Sequence, residues 1–143
     1  MIPRIRSTFV LVFTALLIDG CQLDWVREHP LGCRADEKAL VRDTLYFGLA
    51  IPGGGEITPD QWAHFESDVL LPAFPHGFSV LDSHGPWRGA DGRNQVEASH
   101  MVVIVHDDDV TSASSLRRVI AHYKSTYGQE AVLRERAAVC VTF

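Results

Sequence analysis

The stretch VEASHMVVIVH, residues 96–106, decides the fold of this 143-residue chain. Its Met-Val-Val-Ile-Val segment is an almost unbroken apolar run, which is typical of a strand covered on both faces. Acidic residues 107–109 follow. Beyond them, apolar and aromatic side chains recur at helical spacing at Leu116, Val119, Ile120, Tyr123 and Tyr127. Gly128 stands where a helix C-cap glycine belongs. These features predict a buried strand joined by a short acidic turn to a helix.

The residues upstream predict another strand and helix. Residues 43–51, DTLYFGLAI, are apolar and aromatic, and they lie between charged residues and a Pro-Gly-Gly-Gly turn, as expected of a strand. Residues 58–61, TPDQ, supply an N-cap threonine, a proline at the first helical position and a glutamine that completes a capping box. The following helix has its apolar face at Trp62, Phe65, Val69 and Leu70. It is expected to end at Pro72 and Pro75.

Two further strands complete the predicted fold. Residues 77–82, GFSVLD, indicate a short strand, and residues 83–94 indicate a polar, glycine-rich hairpin before the buried strand. Residues 131–143 end in AAVCVTF, which is typical of a strand. The resulting order β-α-β-β-α-β predicts a ferredoxin-like α+β fold, with two helices on one face of a four-stranded antiparallel sheet. Right-handed crossovers place the third and fourth strands on either side of the first.

The first 21 residues carry the pattern of an export signal. Arg4 and Arg6 precede a short apolar run at residues 9–18, which is too short to span a bilayer but fits the apolar region of a signal peptide. The segment closes with Ile-Asp-Gly-Cys21, which resembles the bacterial lipobox whose cysteine is acylated, although Asp19 departs from that pattern. We therefore expect a periplasmic lipoprotein held by Cys21. An ordinary signal peptide or an uncleaved anchor is the alternative.

The remaining chain is acidic. Without residues 1–20, which hold Arg4, Arg6 and Asp19, it has 11 Lys and Arg against 17 Asp and Glu, a formal net charge of −6. Such a surface does not attract phosphate backbones, so nucleic acid is not an expected partner. We expect a signal segment at residues 1–21, a polar tether at residues 22–42, and one domain at residues 43–143.

The three cysteines fit this organisation. If Cys21 carries lipid, Cys33 and Cys140 remain as a pair, and an oxidising compartment favours a disulfide between them. The last strand runs antiparallel to the first, so Cys140 lies at the same end of the sheet as the tether that carries Cys33. The alternative is two unrelated thiols.

Several segments resemble an uncharacterised bacterial family of exported proteins, the domain of unknown function 3574 family. The likeness spans residues 43–143. The resembling segments are residues 45–49 (LYFGL), 52–54 (PGG), 57–59 (ITP), 72–80 (PAFPHGFSV), 87–92 (WRGADG), 103–106 (VIVH) and 129–133 (QEAVL), together with Trp62, Phe65 and Tyr123. The resemblance implies an exported domain and no known activity.

Candidate binding residues lie in the hairpin and at the end of the buried strand. Trp87 and Arg88 form a recognition pair, because a guanidinium binds carboxylates and an indole offers a rigid apolar face. The alternative is that Trp87 closes the core and Arg88 caps carbonyls or pairs with Asp91. His106 precedes the three aspartates, where it has the chemistry of a general base. Aspartates before a helix more often cap it, so a structural role for this segment is the favoured interpretation. No metal-binding or cofactor-binding spacing is present among the histidines and cysteines, so neither group is expected.

The third strand is apolar on both faces, yet two helices cover only one face of such a sheet. A homodimer or a ligand cleft is therefore expected on the uncovered face. The alternative is that the hairpin and the tether fold across it. We expect a domain that binds a small ligand or an envelope protein through Trp87, Arg88, His100 and His106. The alternative function is a small cofactor-independent enzyme of the dimeric ferredoxin-like type, acting on an anionic small molecule with His106 as acid or base and Arg88 as substrate anchor.

Overall fold

A computed structural model describes residues 32–89 and 92–143. The expected signal segment, Cys21 and most of the expected tether therefore lie outside the described residues. The strands are β1 (Lys38–Gly48), β2 (Ser79–Arg88), β3 (Asn94–His106) and β4 (Leu133–Val141). The helical elements are α1 (Pro59–Phe65), a π-helical segment (Glu66–Leu70), the short α2 (Leu71–Ala73) and α3 (Val110–Tyr127).

The four strands form one antiparallel sheet in the order β2-β3-β1-β4. The third and fourth strands flank the first, and the helices cover one face, so the predicted ferredoxin-like α+β fold is confirmed. We call the face that carries the helices the helix face and the other the open face. The core between the helices and the sheet is aromatic-rich, and it contains Leu45, Phe47, Trp62, Phe65, Leu70, Val102, Ile104, Leu116, Val119 and Tyr123.

The two main helices begin at the predicted caps. In α1, the Thr58 hydroxyl accepts from the Gln61 backbone N–H at 3.2 Å, and the Gln61 side chain accepts from the Thr58 N–H at 2.9 Å. This is the predicted capping box. In α3, the Asp109 carboxylate accepts from the Ser112 N–H at 2.7 Å, and Gly128 ends the helix in the left-handed conformation with φ 67°. Asp109 is therefore used as a helix cap.

As expected, the first helix ends before Pro75, and it runs one residue past Pro72. A π-helical segment precedes this proline, and the Leu71 N–H donates to the carbonyl of Glu66, five residues back. Proline in a helix interior clashes with the preceding turn and lacks a donor. The wider π turn accommodates it, so helical structure persists to Ala73 and ends at Phe74.

β1 begins at Lys38, five residues before the predicted start and within the stretch expected to be a tether. It pairs with β4 from Lys38 onward and with β3 from Val41 onward. Leu40 and Val41 are buried, at 7 % and 6 % exposure. The sequence did not indicate this early start, because the exposed, charged Lys38 and Arg42 flank the two apolar residues.

The β2–β3 hairpin is much longer than predicted. β2 continues to Arg88 and β3 begins at Asn94, so residues 83–88 belong to a strand rather than to a loop. β2 is an edge strand, and such a strand tolerates Pro86 and Gly85. The paired register of β1 and β3 ends at Gly48 and Ser99, and beyond it the Leu49 N–H donates to the Ala98 carbonyl at 2.9 Å. The hairpin end therefore extends past β1 as a two-stranded arm.

The predicted disulfide is present. Cys33 and Cys140 are bonded, with 5.5 Å between their Cα atoms, and they link residues 107 apart in sequence. The bond joins the chain before β1 to the end of β4, the sheet edge at which the topology places both cysteines. No helix in the described residues is long and apolar enough to cross a membrane.

Candidate functional site

A cleft of about 740 Å³ lies where the open face meets the end of β1. Three walls enclose it. They are the β2–β3 arm, the glycine loop that follows β1 (residues 53–55), and the turn between α3 and β4. The lining residues are Tyr46, Gly48, Ala50 to Gly55, Ser83 to Trp87, Gly89, Gln95, Glu97, Ser99, Gln129 to Ala131 and Leu133.

Glu97 and Gly48 form the floor of the cleft. A Cβ atom built on Gly48 would lie 2.3 Å from Glu97 Oε1, so the carboxylate occupies the space that any larger residue would need. From the helix face, the Tyr123 hydroxyl donates to the Gly48 carbonyl at 2.8 Å. Burial raises the pKa of Tyr123, and the negative charge of Glu97 adds to this effect, so Tyr123 stays a neutral donor. Gly48 is therefore held from the helix face by Tyr123, while Glu97 packs against it on the open face.

The backbone of Ala50 joins the three walls. Its N–H donates to Glu97 Oε1 at 3.2 Å, which links the loop after β1 to the arm. Its carbonyl accepts from Gln129 Nε2 at 2.6 Å, which links the same loop to the turn before β4. One residue between the walls thus fixes their separation and orients the Glu97 carboxylate.

Tyr46 and Glu135 form a second polar pair on the open face. The Tyr46 hydroxyl donates to Glu135 Oε2 at 2.9 Å. This hydrogen bond raises the pKa of Tyr46, with smaller contributions from desolvation and from the charge of Glu135. The phenol therefore stays protonated, and its ring borders the cleft beside Gly48.

The glycine loop gives the cleft a wall without side chains. Gly53, Gly54 and Gly55 have φ values of 96°, 118° and 91°. Such values are strained for any residue with a Cβ. A Cβ at these positions would meet nothing within 4 Å, so the requirement is conformational and not one of space.

The charge of the lining is acidic. It contains Glu97 and Glu130, and among the described lining residues none is lysine or arginine. Ser83, Ser99, Gln95 and Gln129 add neutral polar groups, while Trp87, Pro86 and Leu133 add apolar surface. This acidic lining is unfavourable for the anionic substrate that the alternative enzyme hypothesis assumed.

The structure places the predicted pair Trp87 and Arg88 on different sides of the arm. Trp87 lies on the open face, 41 % exposed, and lines the cleft. Arg88 points to the opposite side by strand alternation and does not line the cleft. Its Nε donates to the Gly92 carbonyl at 3.1 Å, so it caps the hairpin turn.

His106 lies in a different environment, at the end of β3 on the helix face. Its Nε2 is 2.7 Å from Asp43 Oδ2, and its Nδ1 is 2.7 Å from the carbonyl oxygen of Asp107. Asp43 is fully buried and also accepts from Arg134 Nε and Nη2 at 2.6 and 2.9 Å. Both nitrogens of His106 are therefore engaged, and its side chain is only 10 % exposed.

The Asp43 carboxylate is the centre of this cluster. Burial alone would raise its pKa, but hydrogen bonds and charge from Arg134 and His106 outweigh burial and hold the pKa below its usual value. The same contact raises the pKa of Arg134. The cluster is a buried ion network, which ties β1 to β3 and β4.

His100 also faces the helices. Its ring packs on Trp62 with 4.2 Å between ring centroids. Its Nδ1 lies 2.9 Å from Asp82 Oδ1, within ion-pair distance, but the angle is not that of a hydrogen bond, so within the described residues this buried nitrogen has no hydrogen-bond partner. The side chain is therefore part of the helix–sheet packing.

The structure does not bring the four predicted site residues together. Of Trp87, Arg88, His100 and His106, only Trp87 lines the cleft. Arg88 pairs with Asn94 at one end of β3, and His106 is 12 residues further along, about 40 Å away. Within one chain, Arg88 and His106 share no cavity, which the alternative enzyme hypothesis required.

Sequence reasoning missed Glu97, Gly48 and Asp43. Gly48 carried a usable signal, because an isolated glycine inside a strand marks a close approach. Asp43 lies on the same face of β1 as the buried Val41, Leu45 and Phe47, so a strand predicted to start at Lys38 would have placed it inward. No local pattern marked Glu97, because its role depends on where the neighbouring strand β1 ends. That end pairs with Ser99, two residues from Glu97.

One group of potential metal ligands comes together in the described residues. Cys33, Glu37 and Cys140 place one donor atom each within 4.8 Å of one another. The two sulfur atoms are bonded to each other, so this group offers no thiolate.

The described residues define a ferredoxin-like α+β domain with an acidic cleft beside the open face of its sheet. The chain belongs to a family described as protein of unknown function (DUF3574), whose model matches residues 42–143. The family expected from the sequence is therefore confirmed.

No curated protein matches the chain. The fold is similar to that of a phage SAM lyase in complex with S-methyl-5'-thioadenosine, with 12% sequence identity and a TM-score of 0.56. The match covers 73% of this chain and 90% of that chain. The apo state of a phage SAM lyase gives the same identity and coverage with a TM-score of 0.53. At this identity the similarity concerns the fold.

Proposed function

We propose that the domain binds a small, positively charged organic molecule in the cleft. The observation that carries the proposal is the lining, which combines the fixed Glu97 carboxylate and Glu130 with no lysine or arginine among its described residues. A cleft of about 740 Å³ is within the range of small-molecule sites. The apolar surface of Trp87 offers a rigid wall, and indole faces attract cations.

Glu97 is the anchor of the proposed site. Its position is fixed by the Ala50 N–H and by the missing Cβ of Gly48, so little side-chain order is lost when a ligand binds. A carboxylate that is already oriented binds a cation more strongly than a mobile one. Tyr46, Ser99 and Gln95 supply donors and acceptors for the rest of the ligand.

Thermal unfolding with matched ligands tests the proposal. The panel holds sulfonium nucleosides, quaternary amines and polyamines, each beside a neutral analogue. S-adenosylmethionine beside S-adenosylhomocysteine is one such pair, differing by the methyl group that charges the sulfur. A ligand at about 100 times its dissociation constant adds about 2.7 kcal/mol of stability and raises the midpoint by several degrees.

The matched variants are Glu97→Gln and Glu56→Gln. Glu56 is exposed and lies next to the same loop, but it does not line the cleft. Glu97→Gln is expected to weaken cation binding at least tenfold, about 1.4 kcal/mol, while Glu56→Gln leaves it unchanged. A panel in which neutral or anionic members stabilise the protein equally well, or a Glu97→Gln variant that binds normally, contradicts the proposal. A wholly flat panel moves the search to envelope protein partners.

A second candidate function is a lyase acting on a sulfonium nucleoside. The fold similarity to the phage SAM lyase favours it, since S-adenosylmethionine is an organic cation of the kind the acidic cleft accommodates. The test is incubation of the protein with S-adenosylmethionine and chromatography for S-methyl-5'-thioadenosine. Product that appears with wild-type protein and is lost in Glu97→Gln supports turnover. Binding without product leaves the domain a ligand binder.

We propose further that the domain works outside the cytoplasm, tethered through Cys21. The Cys33–Cys140 disulfide supports this placement, because such bonds persist in oxidising compartments. Cell fractionation of Cys21→Ser against wild-type protein is the test. Release of the variant from the membrane fraction supports a lipid anchor, and unchanged fractionation refutes it.

A further inference from the structure

We propose that a second copy of this chain packs across the open face of the sheet and closes the cleft. The partner is related by a two-fold axis, so both copies use the same surface. This inference goes beyond the proposed function, since the association requires no ligand. Four observations carry it.

Large apolar side chains are exposed on the open face in three of its four strands, whereas Leu40 and Thr44 of β1 are buried there. Leu81, Trp87, Val105 and Leu133 are 45 %, 41 %, 37 % and 49 % exposed, and strand alternation places all four on this face. They come from three different strands, and half-buried Met101 and Val103 lie between them on β3. Large hydrophobic residues that are scattered singly are normal, but a contiguous apolar face marks an interaction surface.

The size of the face matches that of a small stable dimer. Four strands about 4.8 Å apart and about ten residues long cover roughly 19 by 33 Å, or roughly 600 Å² per copy. Two such faces bury about 1,200 Å², the lower bound of stable specific interfaces. Contact over only the half outside the cleft would fall below this bound, so the full face is required.

The charges of the face are self-complementary. Outside the cleft, Arg42 and Glu135 are its central charged groups, and their strands place them on a diagonal across β1 and β4. Arg42 is exposed and makes no ion pair with another described residue, whereas Glu135 accepts one hydrogen bond from Tyr46. A two-fold axis brings Arg42 of each copy to the partner's Glu135. Two ion pairs then form between the copies.

The arm supplies the fourth observation. Two-stranded hairpins are marginally stable on their own, yet the arm extends past β1 with Trp87 exposed on one face and Val96 79 % exposed on the other. Trp87 and Leu133 both line the cleft and both belong to the proposed interface. The second copy therefore forms the missing roof of each cleft and excludes water from Glu97.

Analytical ultracentrifugation of the ligand-free protein at micromolar concentration tests this proposal. The wild type is expected to sediment as a dimer. Leu81→Glu is expected to raise the dimer dissociation constant at least tenfold, because it buries a charge in the interface. Val110→Glu is the control, since Val110 is 84 % exposed at the start of α3, away from the sheet. Far-UV circular dichroism checks that each variant is folded.

Exchanging the two charged residues provides a second test, which does not depend on apolar residues. Arg42→Glu weakens the dimer by placing like charges together, and the double variant Arg42→Glu with Glu135→Arg restores it. A monomeric wild type overturns the proposal. So does a dimer that persists unchanged in both Leu81→Glu and Arg42→Glu. If Leu81→Glu does not fold, Val105→Glu takes its place. Because the ligand is absent throughout, these results are independent of cation binding.

Discussion

At the scale of single residues, two positions carry opposite kinds of constraint. Asp43 is a buried charge that is stable only because Arg134 and His106 hydrogen-bond to it. Gly48 has no side chain, and this matters because the Glu97 carboxylate occupies the space that a Cβ atom would need. The first supports the fold and the second supports the cleft, so their variants separate stability from binding.

Asp43→Asn is expected to lower the free energy of unfolding by about 3 kcal/mol, because it leaves Arg134 and His106 without their shared anion. Denaturant unfolding at neutral pH measures this. Asp108→Asn is the control, since Asp108 pairs with Arg136 where both side chains are largely exposed, and it should cost under about 1 kcal/mol. Equal losses in the two variants would show that burial of the Asp43 cluster adds nothing.

The same cluster predicts a pH dependence of stability. The folded-state pKa of Asp43 lies below its value in the unfolded chain. Its contribution is therefore complete above the unfolded pKa of about 3.9 and is lost as pH falls through the folded pKa. The stability difference between wild type and Asp43→Asn should shrink below about pH 4. A difference that stays constant to pH 2 contradicts the assigned direction.

Gly48→Ala is expected to reduce cation binding about tenfold with little change in stability, since the new Cβ displaces the flexible end of Glu97 and no backbone. Gly85→Ala is a close control. Gly85 is also a strand glycine in the cleft lining, and a Cβ there meets nothing within 4 Å. Calorimetric titration with the best cation of the panel compares them. Equal affinity of the two variants for the cation would show that Gly48 and Glu97 do not contribute to its binding.

At the scale of elements, the sequence predicted the helix ends, which are determined by residues close together in the chain. The capping box at Thr58, the cap at Asp109 and the left-handed Gly128 are all in place, since each depends on residues within four positions. Pairing across the sheet decided the rest. β1 starts early because β3 and β4 extend beside it, and β2 incorporates Pro86 because its outer edge needs no donor.

The disulfide acts between elements, joining the chain before β1 to the end of β4. Reduction is expected to lower the free energy of unfolding by about 2–4 kcal/mol, because the bond restricts the unfolded chain. Denaturant curves with and without a dithiol measure this. The double variant Cys33→Ser with Cys140→Ser should be insensitive to the reductant. Superimposable wild-type curves, with reduction verified by mass, contradict a stabilising role.

At the scale of the whole molecule, the β-α-β-β-α-β order was sufficient to predict the topology and the sheet edge at which Cys33 meets Cys140. The site was not predictable in the same way. Trp87 was identified from its residue type, but its neighbours in the cleft come from three separate segments. Arg88 and His106 have reactive chemistry, yet a turn carbonyl and a buried carboxylate use them. A site assembled from an arm, a loop and a turn leaves no contiguous motif.

A calorimetric titration of wild-type protein and Glu97→Gln with a cation and its neutral analogue is the most direct test of the cation site. Wild-type protein is expected to bind the cation at least tenfold more tightly than the neutral analogue, and this preference should disappear in Glu97→Gln. Equal affinity of wild-type protein for both analogues, or a preference that survives in Glu97→Gln, would contradict the assignment of the cleft as a cation site.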